Sequence, residues 1–213
     1  MSKFTYIMHN ISKLKNNMRE IKIKGLPYKF YTFNTIGDGS CFLHGVMYCF
    51  NLSYRKAPPG ERIKMVSQLR KNLSDVLEEK RKDGKTYYEI LSRGEIKELS
   101  KIHPKLKLNH MKNYLNSRHW IDMFYLELIS DQLNIDILIY DEYRKIFYRT
   151  GDDETYIKGR ETILLNYQDG IHFEAVGVKL DKIRTFFSSD SSIIKKIKKI
   201  YYRTPPFNKT VVI

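Results

Sequence analysis

Cysteine is scarce in this 213-residue chain: only Cys41 and Cys49 occur, eight positions apart. In a helix that separation is about 12 Å along the axis, beyond the reach of a disulfide. A disulfide-stapled secreted scaffold is therefore excluded, and a reducing, cytoplasmic compartment is expected. Neither Cys-x-x-Cys nor His-Glu-x-x-His occurs, so no metal site and no cofactor is expected. No apolar run approaches the roughly 18 to 20 residues that span a bilayer. The first twenty residues are basic but lack the continuous apolar stretch of a secretory signal. Phe4, Ile7, Ile11 and Leu14 are spaced for a short amphipathic helix, and a helical segment is expected over 1–24.

Acidic residues are also in short supply, with 24 Asp and Glu against 38 Lys and Arg, a formal net charge of +14. That field favours polyanions such as nucleic acid or an anionic membrane face. The abundance of Lys, Ile, Asn and Tyr fits equally an AT-rich coding sequence under little selection on surface charge. The basic amphipathic stretch Ile193 to Tyr202 is where a polyanion would bind, or else it is a solvated terminal helix.

What is present reads as one domain over 25–182, followed by a basic segment over 183–213. Tyr28 to Asn34 alternates loosely and is aromatic, as a strand is. From Cys41, the residues Phe42, Leu43, Val46, Met47 and Phe50 fall at helical spacing. After the break at Ala57-Pro58-Pro59-Gly60, a long helix places Ile63, Val66, Leu69, Leu73, Val76 and Leu77 on one face. Lys85 to Lys112 reads as short helices and loops. Trp120, Phe124, Leu128 and Leu133 outline a helix of about 13 residues. Asn134 to Tyr140 is a strand, Ile146 to Arg149 pairs back on it, and Thr162 to Tyr167 and His172 to Val178 form a hairpin across Gln168-Asp169-Gly170. The fold class is α+β, with helices packed on a mostly antiparallel sheet. No internal repeat is present, and no obligate oligomer is expected.

Two segments carry chemistry. In Gly37-Asp38-Gly39-Ser40-Cys41-Phe42-Leu43, a glycine-bearing turn delivers a cysteine to a helix N-terminus. There the unpaired N–H groups favour a thiolate and could hold an oxyanion. In Ile171-His172-Phe173-Glu174, a histidine opens a strand straight after a turn. Period-two alternation puts residues 172 and 174 on one face, within reach of each other. His44, His103, His110 and His119 have no comparable partners in the sequence, and Cys49 reads as a small buried hydrophobe.

Taken in order, Asp38-Gly39-Ser40-Cys41-Phe42, then Trp120 with Leu128 to Ile139, then Ile163 to Val178, this arrangement resembles the ovarian-tumour (OTU) cysteine deubiquitinases. The likeness covers roughly residues 30–180. It implies a papain-like, OTU-like fold that cleaves isopeptide bonds to ubiquitin or ubiquitin-like modifiers. Cys41 resembles the nucleophile, His172 the base, Glu174 the orienting residue and Asp38 the loop acid that supports the oxyanion site. Gly39, Ser40, Trp120 and Phe173 would line the channel for the modifier's glycine tail, and Asp122, Glu127, Asp131 and Asp136 are candidates to meet its basic residues. The sequence departs from the family where Glu174 replaces the usual Asp or Asn and where His44 replaces a common Arg; an acid elsewhere, Asp38 included, could orient His172 instead. Two rival readings follow: an OTU-fold protein that binds a modifier without catalysis, and a basic nucleic-acid-binding protein. The composition fits a large DNA virus or an intracellular parasite, which would place the enzyme in the host cytoplasm.

Overall fold

The interior strands of the sheet bury both of their faces, while the edge strands leave residues exposed. The computed structural model describes residues 18–149 and 159–201. Among them run β1 (Met18–Ile21), β2 (Lys29–Phe33), β3 (Ile135–Asp141), β4 (Ile146–Arg149), β5 (Glu161–Gln168) and β6 (His172–Lys179). They make one sheet in the order β1-β2-β6-β5-β3-β4, with two short strands, β7 (Ile183–Arg184) on β6 and β8 (Phe186–Phe187) on β5. Every pairing is antiparallel except β3 with β5. All seven residues of β3 are buried, as expected of an interior strand covered on both faces.

One face carries the helical layer. Helix α1 (Cys41–Phe50) lies directly on β5 and β6, and Gly45 makes the approach possible. A Cβ there would come within 3.0 Å of the Leu165 side chain. Around α1 stand α2 (Leu52–Lys56), α3 (Pro59–Val76), α4 (Tyr87–Ile90), α5 (Glu95–Leu99), α6 (Leu108–Leu115) and α7 (Leu126–Leu133). Proline at the first position of α3 suits a helix start, where its missing N–H is not needed. Phe42, Val46, Leu73, Leu128, Ile137, Ile163 and Ala175 belong to the core on this face.

The opposite face is closed by α8 (Ser192–Tyr201), whose Ile193, Ile194 and Ile197 pack with Phe30, Leu138, Leu164, Val176 and Val178. The basic amphipathic stretch is therefore a structural lid on the sheet. Its apolar stripe is buried, and Lys195, Lys196 and Lys199 face outward.

Two expectations need correction. Met18–Ile21, assigned to an N-terminal helix, is an edge strand paired with β2, because ladder bonds to an existing strand override weak local preference. The spacing from Phe4 to Leu14 lies outside the described residues. The helix expected from Trp120 begins later: residues 120–122 are irregular, Met123–Tyr125 is a 3-10 turn, and α7 starts at Leu126. Among the described residues, no helix is long and apolar enough to cross a membrane.

Candidate active site

The segment before Cys41 turns sharply because Gly39 takes a left-handed φ of +84° that a side chain would resist. Asp38 Oδ1 accepts the Ser40 N–H at 3.0 Å, closing the turn on itself. Ser40 then caps α1 through its backbone, its C=O accepting the His44 N–H at 2.9 Å. Cys41 is thus the first residue of the helix, buried, with the N–H groups of Cys41 and Phe42 turned toward its sulfur.

The Phe173 backbone amide in β6 also favours the thiolate. The Phe42 and Phe173 rings meet edge to face, with centroids 5.2 Å apart, so the nucleophile helix and the start of β6 are packed together. His172 is the neighbouring residue. Cys41 and the histidine segment, remote in sequence, therefore share one corner of the molecule.

The charge balance at the sulfur is unequal. Burial pushes the Cys41 thiol above its ordinary value; the Phe173, Phe42 and Cys41 amides oppose this, and the Asp38 carboxylate reinforces it. Less thiolate is therefore present at neutral pH than for a free cysteine. Iodoacetamide should alkylate Cys41 slowly near neutrality and faster as pH rises beyond the ordinary thiol range of about 8.5. Cys49 is fully buried and pushed up to about 12, so it should react only after unfolding. Peptide mass spectrometry after alkylation at a series of pH values checks both, and a rate already on its plateau at neutral pH would contradict the first.

Glu174 does not take the place expected of it. It is buried, and its Oε2 accepts from Arg19 at 3.0 Å and from Asn166 at 3.0 Å. Asn166 also donates to Glu142 at 2.9 Å, and Arg19 forks onto the same carboxylate, holding Glu142 down at about 2. The reason lies in strand order. Along β6, Ala175 belongs to the core under α1, whereas Val176 belongs to the core under α8. Alternation therefore puts Glu174 with Val176 on the α8 face; His172 shares that parity, but at the first position of β6 its Nε2 reaches Thr35, just beyond the end of the β2–β6 ladder. The polar partner of His172 is instead Thr35, whose Oγ1 lies 3.2 Å from Nε2.

Behind the turn sits a buried group that the sequence did not reveal. His44 is fully buried, its Nδ1 2.6 Å from the Tyr54 hydroxyl and its Nε2 3.2 Å from Asp38 Oδ1, close enough for attraction though not aligned as a hydrogen bond. Burial lowers the His44 pKa, while Asp38 works against that shift. His44 thus lies against Asp38 from below.

Arg70 is the second unexpected member. It is buried, and its Nε donates to Ser40 Oγ at 2.9 Å. Its two terminal nitrogens donate to the carbonyls of Gly39 at 3.2 Å, Leu115 at 3.3 Å and His119 at 2.5 Å. One guanidinium thereby ties the turn before Cys41 to the segment that leads into Trp120. The signal was available: Arg70 falls on the same helical stripe as Val66, Leu73 and Leu77.

Of the expected channel residues, Trp120 is exposed beside this junction, its carbonyl accepting from Tyr114 at 2.5 Å. Phe173 is half-buried between Phe42 and Tyr167. Ser40 is turned inward, its hydroxyl engaged by Arg70. Among the four acids expected to meet a basic tail, Asp122 alone is exposed. Glu127 accepts from Ser92, Asp131 pairs with Arg160, and Asp136 is buried in β3.

No family model and no curated protein matches the sequence. Likeness appears among solved structures. An ovarian-tumour (OTU) domain in complex with ubiquitin superposes with a TM-score of 0.54 at 15% identity, over 89% of this chain and 92% of that one. The Hazara virus OTU bound to ubiquitin gives 0.48 at 14% identity, over 76% of this chain and 87% of that one. The viral OTU domain protease from Taggert virus gives 0.44 at 13% identity, over 79% and 98%. At such identities the likeness concerns architecture, and the first comparison carries it: the chain has an OTU-like α+β fold.

Proposed function

We propose that this OTU-like protein is a cysteine isopeptidase acting on conjugates of ubiquitin or a ubiquitin-like modifier, with Cys41 as nucleophile and His172 as base. One observation carries the reading. Cys41 opens α1, and the ring of its neighbour Phe42 packs edge to face on that of Phe173, the residue next to His172, although the two segments lie far apart in the sequence.

In the reaction, His172 takes the Cys41 proton as the thiolate attacks the carbonyl carbon of the modifier's terminal glycine. N–H groups of the first turn of α1 would stabilise the oxyanion as it forms, a contribution typically of about 3 kcal/mol. Collapse breaks the C–N bond, His172 returns the proton to the departing lysine amine, and water hydrolyses the thioester. Because burial raises the Cys41 thiol above its ordinary value, less thiolate stands ready, and the resting site is expected to react slowly with small electrophiles.

A ubiquitin whose C-terminus bears an electrophile is expected to label the wild-type protein covalently and to leave Cys41→Ala unlabelled. Failure across ubiquitin and ubiquitin-like probes would shift the assignment to a modifier-binding protein without catalysis, a reading favoured by the diversion of Glu174 to Arg19 and Asn166. The expectation of a polyanion partner finds no support in the comparisons, and α8 has a structural use for its apolar stripe.

A further inference from the structure

The geometry points to Thr35 as the positioning residue for His172, fixing its tautomer and ring orientation through a neutral hydroxyl. This rests on the isopeptidase reading for its kinetic consequences but not for its structural content. A threonine hydroxyl has one proton to give. Here it goes to the Phe173 carbonyl, which accepts from Thr35 Oγ1 at 2.5 Å. The same oxygen, 3.2 Å from His172 Nε2, is left with only lone pairs for the ring. Nε2 must therefore carry the hydrogen and donate, which leaves Nδ1 as the nitrogen with a free electron pair. The base that takes the thiol proton is then Nδ1.

The placement is built into the sheet. The β2–β6 ladder ends with Phe33 opposite Ala175. Two residues further along each antiparallel strand, Thr35 stands opposite Phe173. Its hydroxyl continues the ladder with a side chain where the backbone pairing stops, so the group that holds the imidazole is anchored by the β-sheet itself. Among the described residues, neither candidate acid is in position to compete. Glu174 is engaged by Arg19 and Asn166, and Asp38 is engaged by the Ser40 N–H and faces His44. Among the described residues, Thr35 is the hydrogen-bond partner that His172 has.

A hydroxyl differs from a carboxylate in a way that experiment can read. It orients the ring but brings no full negative charge to stabilise imidazolium. Removing it should therefore loosen orientation and tautomer with a moderate penalty, where loss of an ionic partner is far more damaging.

The test uses the full chain as wild type, Thr35→Val, Thr35→Ser and Glu174→Gln, with two readouts. The first is hydrolysis of a fluorogenic ubiquitin C-terminal amide, with kcat and KM taken separately. Thr35→Val should lower kcat by about 10- to 100-fold, the size seen when the hydrogen-bond partner that orients a metal-bound histidine is removed, with KM within about twofold. Thr35→Ser should recover most of the rate, because it keeps the hydroxyl, and Glu174→Gln should stay near wild type. The second readout is the 15N resonances of His172 in protein labelled at histidine, which report the tautomer whether or not the protein turns over any substrate. Wild type and Thr35→Ser should show Nε2–H, and Thr35→Val a mixture. If wild type hydrolyses nothing, the isopeptidase reading falls while the 15N spectra still decide the positioning role. A Thr35→Val protein with wild-type kcat, a Glu174→Gln protein as impaired as Thr35→Val, or a tautomer indifferent to Thr35 would each overturn the inference.

Discussion

Arg70→Met is expected to destabilise the protein by about 3–5 kcal/mol and to abolish turnover even in the fraction that stays folded. The magnitude follows from what the guanidinium satisfies. Three carbonyls and one hydroxyl accept from it inside the protein, and a methionine of similar length offers none of them a donor. Each buried acceptor left alone costs about 1–3 kcal/mol, reduced where a water can enter or a hydroxyl can turn. In a chain of this size such a loss lowers the melting temperature by on the order of 10 °C. Burial alone lowers the Arg70 pKa, with Asp38 opposing, so the site already accepts a desolvation cost to keep this cation.

The catalytic consequence is separate from the loss of stability. Gly39 and Ser40 lie immediately before the nucleophile, and His119 lies immediately before Trp120. Without the fork that joins them, the turn that aims the Cys41 amides is no longer tied to the opposite wall. Arg70→Lys tests this division. A lysine keeps the charge but offers a single nitrogen, which cannot span acceptors on four residues. It should therefore recover part of the stability, measured by thermal or urea unfolding, and little of the labelling by a ubiquitin probe. Full labelling in Arg70→Lys would mean that charge, not the fork, is what the turn requires.

Arg70 also marks the boundary of what local sequence could convey. The hairpin across Gln168-Asp169-Gly170, the strand Ile135–Asp141 and the helix opening at Cys41 are encoded by neighbours within a few positions, and each appears where spacing puts it. An arginine on an apolar stripe hints at burial, but the acceptors it serves, up to 49 positions away, are not legible from it. Thr35 depends on the β2–β6 register, which brings together residues 138 positions apart. Glu174 shows a subtler gap. Alternation correctly grouped it with one face of β6, but which face looks toward α1 depends on how the two cores divide the sheet. His44 became legible only once Tyr54 and Asp38 enclosed it. The chemistry of the corner was local, whereas its support came from tertiary pairings.

The same distinction governs the last prediction, Gly39→Ala, which is expected to cut kcat/KM by at least about 100-fold while leaving most of the fold in place. Two constraints coincide at this position. The backbone sits at φ +84°, where a side chain costs about 1–2 kcal/mol. A Cβ built there would lie 1.8 Å from the Arg118 carbonyl oxygen, which is main chain and cannot swing aside as a flexible side chain would. One of the two segments must therefore retreat by more than 1 Å. Both end at the site, since the residue after Gly39 caps the nucleophile helix and Arg118 precedes the exposed Trp120 by two positions. A displacement of that size at the reacting groups costs on the order of 100-fold. Gly37→Ala is the matched control: a Cβ there meets nothing within 4 Å, and its backbone is not left-handed. It should keep kcat/KM within about threefold and the melting temperature within a few degrees. Equal activity in the two alanine variants would show that the contact between Gly39 and Arg118 does not set the geometry at Cys41.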